Sequence, residues 1–186
     1  MALRIISGEF KGRKLRSVHG TKTRPTANRI REAVFNILAF QIRNCCVLDL
    51  FSGTGAYGIE ALSRGADKSV FIDIDKDCVT VLQANIKSLR LENRAKIMSW
   101  DLTKNLNCLL PLATTFNLVF MDPPYNQKMI TPTLYNLHRS RAMVNGARLI
   151  VEHSNREPLI ADQLPFEISD QSRYGKTVVS FLSYMI

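Results

Sequence analysis

Five short apolar runs mark the chain: Cys45 to Leu50, Ser69 to Asp73, Ala95 to Ser99, Asn117 to Met121 and Gly146 to Val151. The third is the least hydrophobic. Near-continuous apolar runs of this length suit strands of a parallel sheet covered on both faces. Between them the spacing predicts helices over Ile59 to about Arg64, about Lys76 to Leu89 and about Met129 to Arg141. Phe166 to Ser172 and Thr177 to Tyr184 alternate apolar and polar residues, and pair most simply as a hairpin around Tyr174-Gly175-Lys176. Ahead of the first run, Arg4-Ile5-Ile6 and Lys14-Leu15-Arg16 flank a Gly-punctuated segment, Ser7 to Arg13, that reads as a small β-hairpin. A helix capped by Thr26 follows. Ala27, Ile30, Val34, Ile37 and Leu38 recur at helical spacing, while Asn28, Arg29, Arg31 and Glu32 face elsewhere.

Strand and helix alternate through the body, so the expected class is α/β. The sheet should be doubly wound and mostly parallel, seven-stranded, with a C-terminal antiparallel hairpin. Residues 1–43 form a basic hairpin-and-helix extension and residues 44–186 the body. No internal repeat or Pro/Gly/Ser-rich linker divides the body.

The fourth run ends abruptly in Asp122-Pro123-Pro124-Tyr125. In open α/β sheets ligands bind at the carboxyl ends of the strands, where this tetrapeptide falls. A plain Asp-Pro turn is the bland alternative. The first run leads into Gly53-Thr54-Gly55-Ala56-Tyr57-Gly58, a formal G-x-G-x-x-G with Asp73 twenty positions after its first glycine. That motif alone is weak evidence. In a dinucleotide site the loop leaves room for a pyrophosphate at the helix N-terminus, but here Asp49 stands four residues before Gly53, with Phe51 between. A carboxylate there repels a pyrophosphate and suits a cationic ligand. S-adenosylmethionine, with an ammonium, a sulfonium and no phosphate, is such a ligand. On this reading Asp49, Phe51, Gly53 and Gly55 form its loop and Asp73 holds the ribose hydroxyls. Ile74 covers the adenine, and Asp101 accepts from the adenine amine unless it only caps a helix.

Charge sharpens the picture. Residues 1–43 contain ten Lys and Arg against Glu9 and Glu32, so they carry +8 of the formal +9. A basic arm on a nearly neutral body points to a polyanion whose binding weakens with salt. The candidate contacts are Arg4, Lys11, Arg13, Lys14, Arg24, Arg29 and Arg31. No apolar run approaches the roughly 20 residues of a membrane span, and the N-terminus lacks a signal-peptide core. Cys45, Cys46, Cys78 and Cys108 contain no C-x-x-C pair and are expected as buried free thiols of a cytoplasmic protein, not zinc ligands.

A methyl donor gives the tetrapeptide a purpose. An exocyclic base amine is a poor nucleophile because its lone pair is delocalised into the ring. Asp122 and the Pro123 carbonyl can each accept one amine hydrogen. Pro123 and Pro124 lack donors and stiffen the loop, and Tyr125 offers a face on which a flipped-out base stacks, worth about 1–3 kcal/mol.

Asp49-Leu50-Phe51-Ser52-Gly53-Thr54-Gly55 with Asp122-Pro123-Pro124-Tyr125 resembles the class I S-adenosylmethionine-dependent amino-methyltransferases. Arg4 to Leu15, Thr23-Arg24-Pro25-Thr26 with Arg29 to Leu38, and Gly58 to Ala66 extend the match. Together they resemble the RsmD family over nearly the whole chain, Tyr174-Gly175 included. The resemblance implies a Rossmann-like methyltransferase acting on the N2 amine of one guanine in bacterial 16S rRNA, free or in the 30S subunit. It also implies that the arm contacts RNA and that the Arg24-Pro25-Thr26 loop closes on the site. Thr54 and Tyr57 stand where the family has smaller or aliphatic residues, and Ser154 to Ser172 matches poorly. A monomer needing no metal and no membrane is expected.

The alternatives are an adenine-N6 methyltransferase on DNA or RNA, a glutamine-N5 methyltransferase, a nicotinamide-binding Rossmann oxidoreductase and a non-catalytic RNA-binding module. Glutamine-N5 chemistry usually goes with Asn at position 122 and leaves the basic arm unexplained. Trp100 could flank the adenine, although a lone Trp is more often core, and His153 could touch substrate, although a strand-end His is usually structural or solvated; Lys128 could meet a phosphate, and His19 and His138 give no signal.

Overall fold

The computed structural model describes residues 3–18, 25–160 and 164–186. Its elements are α1 (Pro25–Ile37), β1 (Cys46–Leu50), α2 (Ala56–Ser63), β2 (Lys68–Asp73), α3 (Lys76–Leu89) and β3 (Ala95–Ser99). After a short 3-10 helix (Asn107–Leu112) come β4 (Phe116–Met121), α4 (Ile130–Ser140), β5 (Met143–Ser154), β6 (Phe166–Tyr174) and β7 (Thr177–Tyr184). The seven strands form one sheet in the order β3-β2-β1-β4-β5-β7-β6. Parallel pairing runs from β3 to β5, and β7 is antiparallel to both β5 and β6. The order reverses between β1 and β4, which makes their shared carboxyl edge the switch point of the sheet.

The apolar runs pack as a two-faced sheet demands. One core cluster joins Val47, Phe71 and Phe120 to α2, to α3 and to Leu3, Ile5, Leu15, Ile30, Val34 and Phe35 of the N-terminal segment. The other joins Leu48, Val119 and Leu149 to α4 and the 3-10 helix. Phe35 of α1 reaches Phe120 of β4 at 5.4 Å, and Tyr57 of α2 stacks on Phe120 at 5.0 Å. Burying a side chain such as Phe35 fully is worth about 1.5–3 kcal/mol.

The expected N-terminal hairpin forms in irregular shape, with one antiparallel bridge, Arg4 to Lys14, and the Ile5, Gly12 and Leu15 amides bonded across it to the Arg13, Ile5 and Leu3 carbonyls at 3.0, 2.8 and 2.9 Å. Backbone donors of its turn go to α2. Glu60 of α2 accepts from the Ile6 and Ser7 amides at 2.7 and 3.0 Å, and Ser63 accepts from the Phe10 amide at 3.0 Å. Asn85 of α3 pairs with both backbone groups of Arg16 and donates to the Thr54 carbonyl at 3.0 Å. The segment is thus fastened onto the helix that carries the glycine loop. Other boundaries moved. α1 begins at Pro25, a residue suited to the first helical position because it needs no donor, so Thr26 falls inside the first turn. β5 runs beyond the Gly146 to Val151 expectation because β7 pairs with it from Arg148 to Ser154.

Gly8 has φ +82°, and a Cβ built there would lie 1.9 Å from the Ser63 carbonyl oxygen. Gly8→Ala should therefore cost about 1–3 kcal/mol. Thermal unfolding should move down by roughly 2–4 °C per kcal/mol, with hydrogen exchange rising first in residues 3–15.

Candidate active site

Leu50 of β1 and Met121 of β4 are paired neighbours, so the two chains leave the sheet side by side at Phe51 and Asp122. The turn after β1 is tight. Phe51 and Gly53 adopt φ +56° and +53°, and the Ser52 amide still bonds to the Ile72 carbonyl of β2. The glycines divide their work. A Cβ at Gly53 would meet nothing within 4 Å, so that face of the loop is open to a ligand. At Gly55 it would lie 2.3 Å from Leu82, and at Gly58 2.3 Å from Phe71. These two let α2 approach α3 and β2, although Gly55 also takes the φ of +81° that ends the loop.

Asp73 at the end of β2 accepts from the Gly53 amide at 2.7 Å and from the Asp75 amide at 2.9 Å. Both carboxylate oxygens are thus aimed by backbone and each keeps a lone pair for a hydroxyl. Asp49 is buried and accepts from the Gly58 amide at 2.8 Å. That amide belongs to the first turn of α2, the donor set a pyrophosphate would need. A protein carboxylate occupies it, which counts against the nicotinamide reading. Burial raises the Asp49 pKa to about 8, Asp73 adds to the rise and the Gly58 bond opposes it. Beside the loop a depression of about 300 Å³ is lined by Ile74, Ser99, Trp100, Asp101, Lys104 and Asn105. Ile74 is 61% exposed and Trp100 37%, so Trp100 is not the core residue that a lone tryptophan more often is. Asp101 closes a turn onto the Thr103 amide and hydroxyl, at 3.1 and 2.7 Å, and caps no regular helix. An open glycine face, an aimed diol acceptor, an apolar slot and a carboxylate lacking a cation fit S-adenosylmethionine.

Asp122 follows β4, its amide 3.5 Å from the Leu50 carbonyl. The residue as a whole is exposed. Desolvation first, then Glu152, then Asp49, push its pKa well above the ordinary carboxylate range. Pro123 is buried; Pro124 and Tyr125 are exposed, and Asn126 and Lys128 just beyond are left-handed, at φ +59° and +55°. The Tyr125 hydroxyl donates to Glu152 Oε1 at 2.7 Å and lies 3.0 Å from the Thr177 hydroxyl, while Tyr57 donates to Glu152 Oε2 at 3.1 Å. Glu152, near the end of β5, is the polar residue at this edge to which sequence reasoning gave no role. His153 is buried and held by Ser180 at 2.8 Å, as its structural reading requires.

The chain matches the family model "Conserved hypothetical protein 95" over residues 3–183. It belongs to this family. The Ribosomal RNA small subunit methyltransferase D of Escherichia coli K12 is 31% identical over 99% of this chain and 88% of its own. The protein of the same name from Buchnera aphidicola subsp. Acyrthosiphon pisum is 34% identical over 84% of this chain and 80% of its own. Among solved structures, yhhF from Escherichia coli has a TM-score of 0.81 and 30% identity, covering 100% of this chain and 99% of that one. Family membership agrees with the RsmD resemblance and with the class I methyltransferase fold.

Of the seven basic candidates, Arg24 lies outside the described residues. Arg4, Lys11, Arg13, Lys14 and Arg29 are exposed, with Arg4 and Arg13 reaching the Gly12 and Ser88 carbonyls at 2.8 and 3.0 Å. Arg31 departs from expectation. It is only 3% exposed and its guanidinium donates to the Arg4 carbonyl, turned inward because α1 presents that face to α2. Burial lowers its pKa against the attraction of Glu60. Arg31 fastens the N-terminal segment and offers nothing to a polyanion. The thiols differ too: all four are free, but only Cys108 is buried. Burial, then Asp73 and Asp75, raise Cys78 to about 11, so its thiolate is scarce at neutral pH.

Asp49 yields a pH test. A cationic ligand favours the carboxylate over the carboxylic acid, so its binding expels the Asp49 proton and tightens as pH rises toward 8. S-adenosylhomocysteine should bind roughly tenfold tighter at pH 8 than at pH 6.5 by isothermal titration. Asp49→Asn should flatten that dependence.

Proposed function

We propose that this chain transfers the methyl group of S-adenosylmethionine to the N2 amine of a guanine in small-subunit ribosomal RNA, as a cytoplasmic monomer that needs no metal. The observation that carries the reading is the meeting at one strand edge of Asp122-Pro123-Pro124-Tyr125 with the loop of Asp49, Gly53 and Asp73. Small-subunit ribosomal RNA is what the named relatives act on, and the exposed arm of Arg4, Lys11, Arg13 and Lys14 supplies the sequence-independent attraction such a substrate needs. Guanine N2 as the acceptor rests on the RsmD resemblance.

The cofactor, when bound, supplies a methyl group already activated by a positive sulfur. The protein's part is placement. The Asp122 carboxylate and the Pro123 carbonyl accept the two amine hydrogens and turn the nitrogen lone pair out of the ring plane. Tyr125 stacks on the base once it has left its helix. Orienting the amine in line with the methyl supplies up to about 7–11 kcal/mol of the barrier reduction. Asp122 must be ionised to accept from the amine, and its pKa is raised. Activity should therefore fall on the acid side at a higher pH than an unperturbed carboxylate would set.

The deciding experiment is labelled methyl transfer to undermodified ribosomal RNA and 30S particles, with the product nucleotide mapped. A methyl on guanine N2 is expected. One on adenine N6, or on DNA alone, overturns the substrate. Asp122→Ala should lower transfer at least about a hundredfold, with S-adenosylhomocysteine affinity retained. Replacing Lys11, Arg13 and Lys14 together by Ala should weaken RNA binding and reduce its salt slope by about 1 for each phosphate no longer neutralised.

A further inference from the structure

The motif loop presents Tyr125 to the cleft on a segment with little backbone support. Its entry bond from Asp122 is long, at 3.5 Å, and its exit passes through two left-handed residues, Asn126 and Lys128. The Tyr125 ring is 36% exposed. A ring so placed would swing about its side-chain torsions unless its far end were held. The far end is held by two strands: Glu152 of β5 and Thr177 of β7, the latter paired with Ser154.

The directions of these bonds follow from donor counts. A carboxylate accepts and does not donate. Tyr57 and Tyr125 must both give their single hydrogen to Glu152, one to each oxygen. Tyr125 then has only lone pairs left, so Thr177 must be the donor in the 3.0 Å contact. One arrangement satisfies every hydrogen, and a satisfied buried network is rigid. Glu152 is 8% exposed, Thr177 8%, and Tyr57 is wedged by its stack on Phe120. The anchor is therefore fixed to the sheet itself.

We propose that Glu152 is a positioning residue for methyl transfer, fixing through the Tyr125 hydroxyl the ring on which the target base stacks. This rests on the methyl-transfer reading and adds to it a residue outside the Asp122 motif and the cofactor loop. It explains why position 125 carries a hydroxyl at all, since stacking alone needs only a ring. It also gives a role to Tyr57. Tyr57 holds the second oxygen and so keeps the carboxylate turned toward Tyr125.

The test is a double-mutant cycle on single-turnover transfer to undermodified 30S particles, using Glu152→Gln, Tyr125→Phe and the pair. Each single change should lower the rate about tenfold, with S-adenosylhomocysteine affinity within twofold and the unfolding temperature of Tyr125→Phe unchanged. The pair should be no slower than the slower single variant, because Glu152 acts through that hydroxyl. Thr177→Val, which removes the other partner, should lower the rate severalfold, and it tests the anchor even if Glu152→Gln fails to fold. Full activity in Tyr125→Phe, or losses that multiply in the pair, would overturn the role of Glu152 while leaving the wild-type reading intact. A wild-type protein silent on every RNA would instead overturn the reading beneath it.

Discussion

The parallel pairing of β1 with β4, which places Leu50 beside Met121, is the constraint on which the site depends. Side chains alternate along a strand, so a shift of one residue would turn Asp49 and the core residues of β1 to the wrong faces. In the observed register the glycine loop and the Asp122 motif leave the sheet together. The apolar runs around them secure that register from both faces, with Phe120 gripped by Phe35 and Tyr57 on one side and Val119 buried on the other. The N-terminal segment reinforces the same place. Through Glu60, Ser63 and Asn85 it is tied to α2 and to the loop at Thr54, so the basic surface and the ligand loop sit on one continuous scaffold.

Acidity at this edge is costly, and the structure distributes the cost. Asp49, Asp73, Asp122 and Glu152 converge there, and Asp49 and Asp122 are raised well above ordinary carboxylates chiefly by desolvation. Asp73 and Glu152 each have both oxygens matched by a donor. Asp49 has one donor, the Gly58 amide. The two raised groups are the ones assigned to a cationic ligand and to an amine. Carboxyl groups that resist ionisation until a positive or hydrogen-donating ligand arrives are the pattern expected where binding and chemistry are located.

Much of this was legible in the chain. The five apolar runs, the α3 boundaries and the β6–β7 hairpin follow from periodicity, because burial acts on every second or every third-to-fourth residue. Asp73 and Asp122 were legible because each stands where an apolar strand stops at a carboxylate, Asp49 because it interrupts the apolar run of β1, and Gly53 because it opens the glycine loop just beyond. Glu152 was not. A glutamate after a buried strand looks like any strand end until β7 and the motif loop bring Thr177 and Tyr125 to it. Arg31 misled for a related reason: helical spacing puts it off the apolar stripe, but the face it occupies is covered by α2 and by the N-terminal segment at Arg4. A lone tryptophan is more often core, but Trp100 lines the depression with its indole donating to the Asn105 carbonyl at 3.1 Å.

A single ligand lying across the β1–β4 edge, its reactive end toward Asp122, is what joins the cofactor loop to the chemistry, and a crystal structure with S-adenosylhomocysteine checks it. Ribose hydroxyls are expected on Asp73, adenine between Ile74 and Trp100, the amino group on the Asp49 side, and the sulfur facing the space in front of Asp122. A ligand seated away from Gly53, or a sulfur turned away from Asp122, would contradict that placement.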